Sequence, residues 1–356
     1  MNWSGCKNIL CIRPDNMGDL LMSGPAIRAL KHTFNARITV LTSSMAAVIT
    51  PFMPEIDEVL IFDVPWVKSS VEAGPNNFAQ TVELLKARQF DAAVIFTVFS
   101  QNPLPSAMLA YLAGIPKVLA YCRENPYQLI NCWVPEKEPY QFIKHQVQRD
   151  LDLVASVGAH TTDSQLQLKI DQTLWESITQ MLNQELDTDT NKPWMILHPG
   201  VSEKKREYPP LQWALTGKEL VKKGYQLLIT GSASERRLTD ELASAIGHGA
   251  VAAGGKFSLQ EFICLIAHSP LLLSVNTGTI HIAAATQTPV VVLYAQTNPQ
   301  HTPWQVPHIV LPFSIPDNLK SNNQVIVHLD NTVYNKSDPM PLPEEILNAV
   351  EALMGN

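Results

Sequence analysis

Little in this sequence would hold it outside an ordinary globular fold. Its five cysteines, Cys6, Cys11, Cys122, Cys132 and Cys264, are odd in number and include no C-x-x-C pair. That argues against a disulfide framework or a zinc site and leaves reduced, mostly buried thiols as the expectation. No apolar run approaches the roughly 20 residues that cross a bilayer. The opening MNWSGC ends like a lipoprotein cleavage site but lacks the apolar core of a signal peptide, so a cytoplasmic protein is expected. Positive charge is scarce: 26 Lys and Arg against 33 Asp and Glu give a formal net charge of -7. With no long basic run, this argues against nucleic acid as a partner. Repeats of solenoid length and low-complexity tracts are missing. So is the G-x-G-x-x-G fingerprint after the first strand-like run, where PDNMGD stands instead, which argues against a nicotinamide-dependent oxidoreductase.

What is present is typical of an enzyme. The content is 46% hydrophobic and 17% charged, and 356 residues exceed what one hydrophobic core usually serves. Short apolar runs at Asn8–Arg13, Arg37–Leu41, Glu58–Phe62, Ala92–Phe96 and Val118–Tyr121 alternate with helical patterns at Leu20–Phe34, Phe78–Arg88 and Ser106–Ala113. That alternation predicts a parallel sheet covered on both faces. Two loops, Asp63–Asn77 with Trp66 and Lys68, and Cys122–Gln141 with Arg123, Tyr127 and Trp133, are long enough to suggest binding. A helix over Lys144–Val157 and a strand over Gln165–Ile170 are expected to close the first half. The pattern then restarts with strands at Trp194–His198, Tyr225–Thr230 and Ala250–Ala252 and helices at Leu211–Lys223 and Glu235–Ile246, followed by a helix opened by the capping box Ser258/Glu261. The tail beyond Ser314 reads as irregular up to a helix over Pro343–Met354. Two doubly wound domains are expected, with ligands at the carboxyl edges of their sheets and in the cleft between them.

The chemistry gathers at a few turns. Leu271–Val275 reads as a buried strand, Asn276-Thr277-Gly278 as a turn, and the small residues after Thr279 as a helix carrying His281. A helix start of this kind points unpaired N–H groups and the positive end of a dipole beyond the sheet edge, which suits a phosphate. The loop HPGVSEKKREY holds Ser202 and the one dense basic cluster, Lys204, Lys205 and Arg206, able to neutralise a diphosphate without a metal. Glu235 follows a strand end, where it either holds ribose hydroxyls or supplies favourable charge to a helix start. His281 is either a donor to a phosphate or sugar, or a satisfied buried histidine. In the first half, Gly18-Asp19 lies between a strand and a helix: Asp19 is either a general base for an attacking hydroxyl or an N-cap. Arg13 either orients an anionic acceptor or pairs with a neighbouring carboxylate.

Taken together, IRPDNMGDLLMSGPAIRALK, LHPG with its basic loop and YPPLQWA, GSASE, and VNTGTIHIAAATQTPVVVLYAQTNPQHTPW resemble glycosyltransferase family 9, the ADP-heptose:lipopolysaccharide heptosyltransferases. The resemblance covers both halves and implies an α/β fold of the GT-B type. Two Rossmann-like, doubly wound domains would face across a cleft, an acceptor-binding domain over 1–170 and a nucleotide-sugar domain over 171–335. A last helix, within 336–356, would cross back to the first domain. It also implies inverting, metal-independent transfer of heptose from ADP-heptose, with no cofactor, to lipopolysaccharide core or a related envelope glycan, in contact with the inner membrane face. The family's catalytic aspartate falls on Asp19, its phosphate-binding lysine on Arg206 and its ribose glutamate on Glu235. In the D-[ST]-G-x-x-H turn, Thr277, Gly278 and His281 match, while the aspartate is replaced by Asn276, so an altered donor preference is expected. Thr279 joins the donor set; Arg13, Gly18 and Arg123 form the acceptor set. Two alternatives stay open: another nucleotide-sugar enzyme on this fold, using a different donor or acting as an epimerase or hydrolase, and an inactive nucleotide-binding protein.

Overall fold

The computed structural model describes residues 2–67, 74–334 and 336–355. Lys68, one of the residues singled out in the first long loop, lies outside them. The chain divides into two compact units, residues 1–167 with 323–329, and residues 168–322 with 330–356.

The first unit is built on β1 (Asn8–Arg13), β2 (Arg37–Thr42), β3 (Glu58–Ile61), β4 (Ala92–Ile95), β5 (Val118–Cys122) and β6 (Cys132–Pro135). All pairs are parallel, in the order β3-β2-β1-β4-β5-β6. The helices are α1 (Met17–Phe34), α2 (Ser44–Ala47), α3 (Pro75–Arg88), α4 (Leu104–Leu112) and α5 (Gln146–Ala155). The inner strands are apolar throughout because both faces are covered: Leu10, Ile12, Ala93, Ile95 and Ala120 join Leu85, Ala107 and Ala110 in one core. The order changes direction between β1 and β4. Such a switch point splays the loops that follow its two strands and leaves a crevice at the carboxyl edge.

The second unit repeats the plan with α6 (Trp175–Gln184), β7 (Trp194–His198), α7 (Pro210–Lys222), β8 (Gln226–Gly231), α8 (Arg236–Ile246), β9 (Ala250–Gly254), α9 (Leu259–His268), β10 (Leu272–Val275), α10 (Thr279–Thr286), β11 (Val290–Ala295) and β12 (His308–Phe313). The strands run β12-β11-β10-β7-β8-β9, again all parallel, with the switch point between β7 and β10. Ser258 and Glu261 form the expected capping box at the head of α9, with Ser258 N–H donating to Glu261 Oε2 at 2.8 Å. Among the described residues, no helix is long and apolar enough to cross a membrane.

Several expectations are corrected. Gln165–Ile170 form no strand. The second long loop contains β6, and the stretch after Ser314 contains α11 (Gln324–Thr332), ahead of α12 (Pro343–Met354). The last helix does not join the first unit: Ile346, Leu347, Ala349 and Val350 of α12 enter the core of the second unit beside Trp213 and Leu220 of α7. Residues 323–329, in α11, group with the first unit instead, where His328 packs on Tyr140 with ring centroids 4.7 Å apart. Helix α1 begins at Met17 rather than Leu20. Its N-cap is Asn16, and Asp19 is the third helical residue rather than the cap.

Candidate active site

In the first unit the candidate residues meet at the end of β1. Arg13 is fully buried, so its guanidinium must be paired. Its Nε lies 3.2 Å from Asp15 Oδ2, and its Nη2 donates to Asp19 Oδ1, also at 3.2 Å. The other Asp19 oxygen accepts the Asn16 N–H at 3.3 Å, which fixes the carboxylate in the first turn of α1 while its side chain stays 14% exposed. Thr42 and Ser43 hydroxyls donate to the carbonyls of Arg13 and Asp15, both at 2.6 Å, pinning the loop that carries them. Arg13 thus pairs with neighbouring carboxylates, and Asp19, which is not the N-cap, is held by that arginine in the first turn of α1. Gly18 is buried in the same turn.

Asp15 Oδ1 accepts from Gln101 Nε2 at 2.5 Å. Asp150 of α5, whose charge also acts on Arg13, accepts from Ser23 Oγ at 2.7 Å and from Gln146 Nε2 at 2.8 Å. Burial lifts the pKa of both Asp15 and Asp150 to about 6, against the opposing pull of Arg13. Gln101 also lines a small pocket with Ser100, Asn102, Arg123, Glu124 and Glu136. Arg123 is partly spent on the fold there: its Nη2 donates to the carbonyls of Phe99 at 3.1 Å and Glu138 at 2.7 Å. Of the loop aromatics, Trp66 packs edge-on against Phe62 and Phe78, Trp133 Nε1 donates to Cys122 C=O at 2.8 Å, and Tyr127 stands exposed.

In the second unit the basic loop folds into a turn over Lys204–Arg206, ahead of α7. Arg206 alone of the cluster reaches the Asn276-Thr277-Gly278 turn in a hydrogen bond, Nη1 donating to Asn276 C=O at 3.1 Å. Glu203 lies between the two cations, 3.2 Å from Lys205 Nζ and 3.6 Å from Arg206 Nη2. Ser202 and Lys204 are exposed. Helix α10 follows the turn with Gly278 as its N-cap and Thr279 as its first residue; His281 is buried one turn in, its ring 6.4 Å from that of His301.

Glu235 caps the turn that opens α8: its Oε2 accepts from Ser232 N–H at 2.7 Å and Ser232 Oγ at 2.8 Å. The carboxylate also lies against Gly200 of the HPG loop, where a Cβ would come within 2.0 Å of Oε1. Only glycine admits that approach. His198, the last residue of β7, completes this corner with Nδ1 3.0 Å from Thr230 Oγ1. Burial pushes its imidazole below the usual range, and the charge of Glu235 opposes that shift.

Asn276 is the position at which an altered donor preference is expected, and its side chain is engaged at the end of β11. The amide nitrogen donates to Ala295 C=O and to Thr297 Oγ1, both at 3.1 Å, and Oδ1 accepts the Ala295 N–H at 3.2 Å. An amide satisfies a carbonyl and an N–H together; a carboxylate at neutral pH can satisfy only the N–H. Asn276→Asp should therefore destabilise the protein by about 2 kcal/mol at pH 7, through an acceptor set against a carbonyl at a buried position. The new carboxyl would have a raised folded-state pKa, so its contribution is favourable when protonated and is lost as pH rises; the deficit against wild type should shrink towards pH 4. Urea unfolding at the two pH values tests this, and equal stability of variant and wild type at pH 7 would contradict it.

Two Asp-x-Asp triplets, Asp150-Leu151-Asp152 and Asp187-Thr188-Asp189, are engaged locally. Asp152 bonds Gln148 and Lys144, and Asp189 bonds the Asn191 N–H. Among the described residues, no group of three or more His, Cys, Asp or Glu is arranged to hold a metal ion. Residues that sequence reasoning passed over are Asp15, Gln101 and Asp150 around Arg13, and Glu203, Thr297 and His198 around the second site.

The chain is similar to known proteins in sequence and in fold. The chain is 26% identical over 308 residues to lipopolysaccharide heptosyltransferase 2 of Escherichia coli K12, covering 83% of this chain and 84% of that protein. Among solved structures it is similar to a glycosyl transferase family 9 protein from Veillonella parvula, with a TM-score of 0.74, 16% identity and coverage of 98% and 97%. It is also similar to the E. coli ADP-heptose LPS heptosyltransferase II, with a TM-score of 0.70, 22% identity and 98% of both chains covered. The family model described as glycosyltransferase family 9 (heptosyltransferase) matches residues 79–331, well over half the chain. This protein is a glycosyltransferase with two Rossmann-like units, and it belongs to glycosyltransferase family 9.

Proposed function

We propose that the protein transfers heptose from ADP-heptose to a hydroxyl of lipopolysaccharide core or a related envelope glycan, inverting the anomeric centre and using no metal ion. The observation that carries this reading is the bond between Arg206 and the Asn276 carbonyl, which sets a guanidinium beside the start of α10. A fork of N–H donors next to a helix N-terminus matches the charge that appears on a departing diphosphate. The names of the relatives supply the sugar, the nucleotide and the acceptor class.

In this reading Arg206, with Lys204, Lys205 and Ser202 of the same loop, binds the phosphates together with the N–H groups of Gly278 and Thr279. Thr277 and His281 shape the turn and its first helical residues. Glu235, held by Ser232 over Gly200, presents a carboxylate oxygen to ribose hydroxyls. Asn276 ties the ends of β10 and β11 and serves the donor through its backbone. Asp19 takes the proton of the acceptor hydroxyl. The oxygen then forms its bond to the anomeric carbon as the bond from that carbon to the diphosphate oxygen breaks, and that electron pair leaves with ADP. Attack from the face opposite the diphosphate inverts the centre. Arg13 orients Asp19, while Gly18 lets the acceptor approach the turn and Arg123 with its pocket receives the acceptor's polar groups. A lipid-linked acceptor brings the protein to the cytoplasmic face of the inner membrane.

The test is a thermal-shift panel of ADP, ADP-heptose, UDP, GDP and CMP. A ligand at about 100 times its Kd adds roughly 2.7 kcal/mol, ample for a visible shift. ADP should raise the midpoint and ADP-heptose should raise it further. A larger response to UDP or GDP would keep the enzyme class and replace the donor.

A further inference from the structure

The group around Arg13 holds more negative charge than one guanidinium can match. From β1 comes Arg13, from the loop after it Asp15, from α1 Asp19 and from α5 Asp150. Among the described residues, Arg149 of α5 also acts on Arg13 and on Asp150. Its Nη1 donates to Glu138 Oε2 at 2.7 Å, its Nη2 to Glu136, and its Nε to Thr97 C=O at 3.1 Å, so its hydrogen bonds go to two other carboxylates and a carbonyl. Gln101, from the loop after β4, faces Asp15 and is neutral; Ser23 and Gln146 face Asp150 and are neutral. Asp15 and Asp19 therefore pair with one buried cation, and Asp150 acts on it at longer range.

An arginine bound to a single carboxylate makes it a poor proton acceptor, because the cation stabilises the charged form. That is the opposite of what a base requires, since a general base works best when its proton affinity is matched to the working pH. We propose that Asp15 and Asp150 are positioning residues that divide the charge of Arg13 with Asp19, so that the same arginine aims Asp19 without depriving it of its basicity. This inference rests on the reading of Asp19 as the base. Asp15 faces Arg13 at Nε and Asp19 accepts from Nη2, so the two meet different nitrogens of one planar group and the orientation of Asp19 survives the sharing. Asp150 acts from α5, 131 residues along the chain from Asp19 by their numbering, which puts the pairing of α1 with α5 in control of the base. Burial is the largest cause of the raised pKa values of Asp15 and Asp150; Arg13 opposes it at both, and the charge of Asp19 adds to it at Asp15.

The experiment is a carboxyl NMR titration of the full chain labelled with 13C at aspartate, the Asp19 signal being assigned by its loss in Asp19→Asn. Asp15→Asn and Asp150→Asn should each lower the Asp19 midpoint, by about one pH unit for Asp15→Asn, because each leaves Arg13 more fully to Asp19. Asp15→Glu, which keeps the charge, should restore it. The acidic limb of kcat/KM for heptosyl transfer should move down in pH by the same amount, with kcat falling on the plateau and KM for the donor unchanged. An unmoved Asp19 midpoint in either folded variant would overturn the proposal. Should Asp15→Asn fail to fold, Asp150→Asn, on a different element, carries the test. Transfer that persists in Asp19→Asn would instead remove the base reading itself, an outcome separate from the titration result.

Discussion

Asp19→Asn should lower sugar transfer by about 100- to 10,000-fold, the range that a positioned general base usually contributes, while the Kd for ADP stays unchanged. The asparagine keeps the shape of the side chain and an acceptor for the Asn16 N–H at the start of α1, so the helix should form as before. What it loses is the ability to take a proton. It also leaves Arg13 with Asp15 and Asp150, so the buried cation remains compensated and the cost in stability should be small. Steady-state transfer together with ADP titration calorimetry separates the outcomes. A rate within a few-fold of wild type would remove Asp19 from the chemistry; lost transfer with equally lost ADP binding would mean that the substitution had damaged the fold.

The second large effect is expected at Arg206. Arg206→Ala should weaken ADP binding by about 10- to 100-fold, in line with roughly 1.5–3 kcal/mol for a hydrogen bond to a charged group. The side chain is only 25% exposed and is already aimed by Asn276 C=O, so little ordering is needed when a phosphate arrives. Arg206→Lys should recover part of the loss, since it returns the charge without the two-pronged geometry. The affinity should also fall with added salt less steeply in Arg206→Ala than in wild type. An unaltered ADP dissociation constant in Arg206→Ala would take Arg206 out of the phosphate site.

Both effects concern residues legible in the sequence, for a physical reason. Asp19 lies in the first turn of the helix after β1 and Arg206 in the turn after β7, each strand flanking its sheet's switch point, and apolar strands covered on both faces leave strong signals. β1, β7, β10 and β11 are predominantly apolar and buried, so the turns after them are legible in the sequence. The edge elements were harder. β6 alternates exposed and half-buried positions over four residues, and β12 carries Pro312, which only an edge strand tolerates. α11 has Val325, Ile326 and Val327 in its first turns, a run that local propensity does not assign to a helix.

The partners of the site were the least legible part. Asp15 lies in a loop where aspartate is an ordinary turn former, and Asp150 reads as a polar position on an amphipathic helix; the packing of α1 on α5 brings Asp150 to Ser23 and lets its charge act on Arg13. The side-chain partners of Asn276 were hidden for a similar reason: they include Ala295, a residue 19 positions away with nothing distinctive about it. The basic run Lys204-Lys205-Arg206 looked uniform, whereas Glu203 and the Asn276 carbonyl distinguish its members.

The most direct test of the account is transfer itself. Purified protein is incubated with ADP-heptose, or separately with UDP-glucose or GDP-mannose, and with lipopolysaccharide extracted from a strain lacking lipopolysaccharide heptosyltransferase 2, in the presence of a chelator. The account predicts ADP release matched by a heptose on the acceptor, with the anomeric configuration inverted in the product and no dependence on added metal. Transfer from UDP-glucose or GDP-mannose in preference to ADP-heptose, retention of configuration, or ADP release at the same rate without acceptor would contradict it.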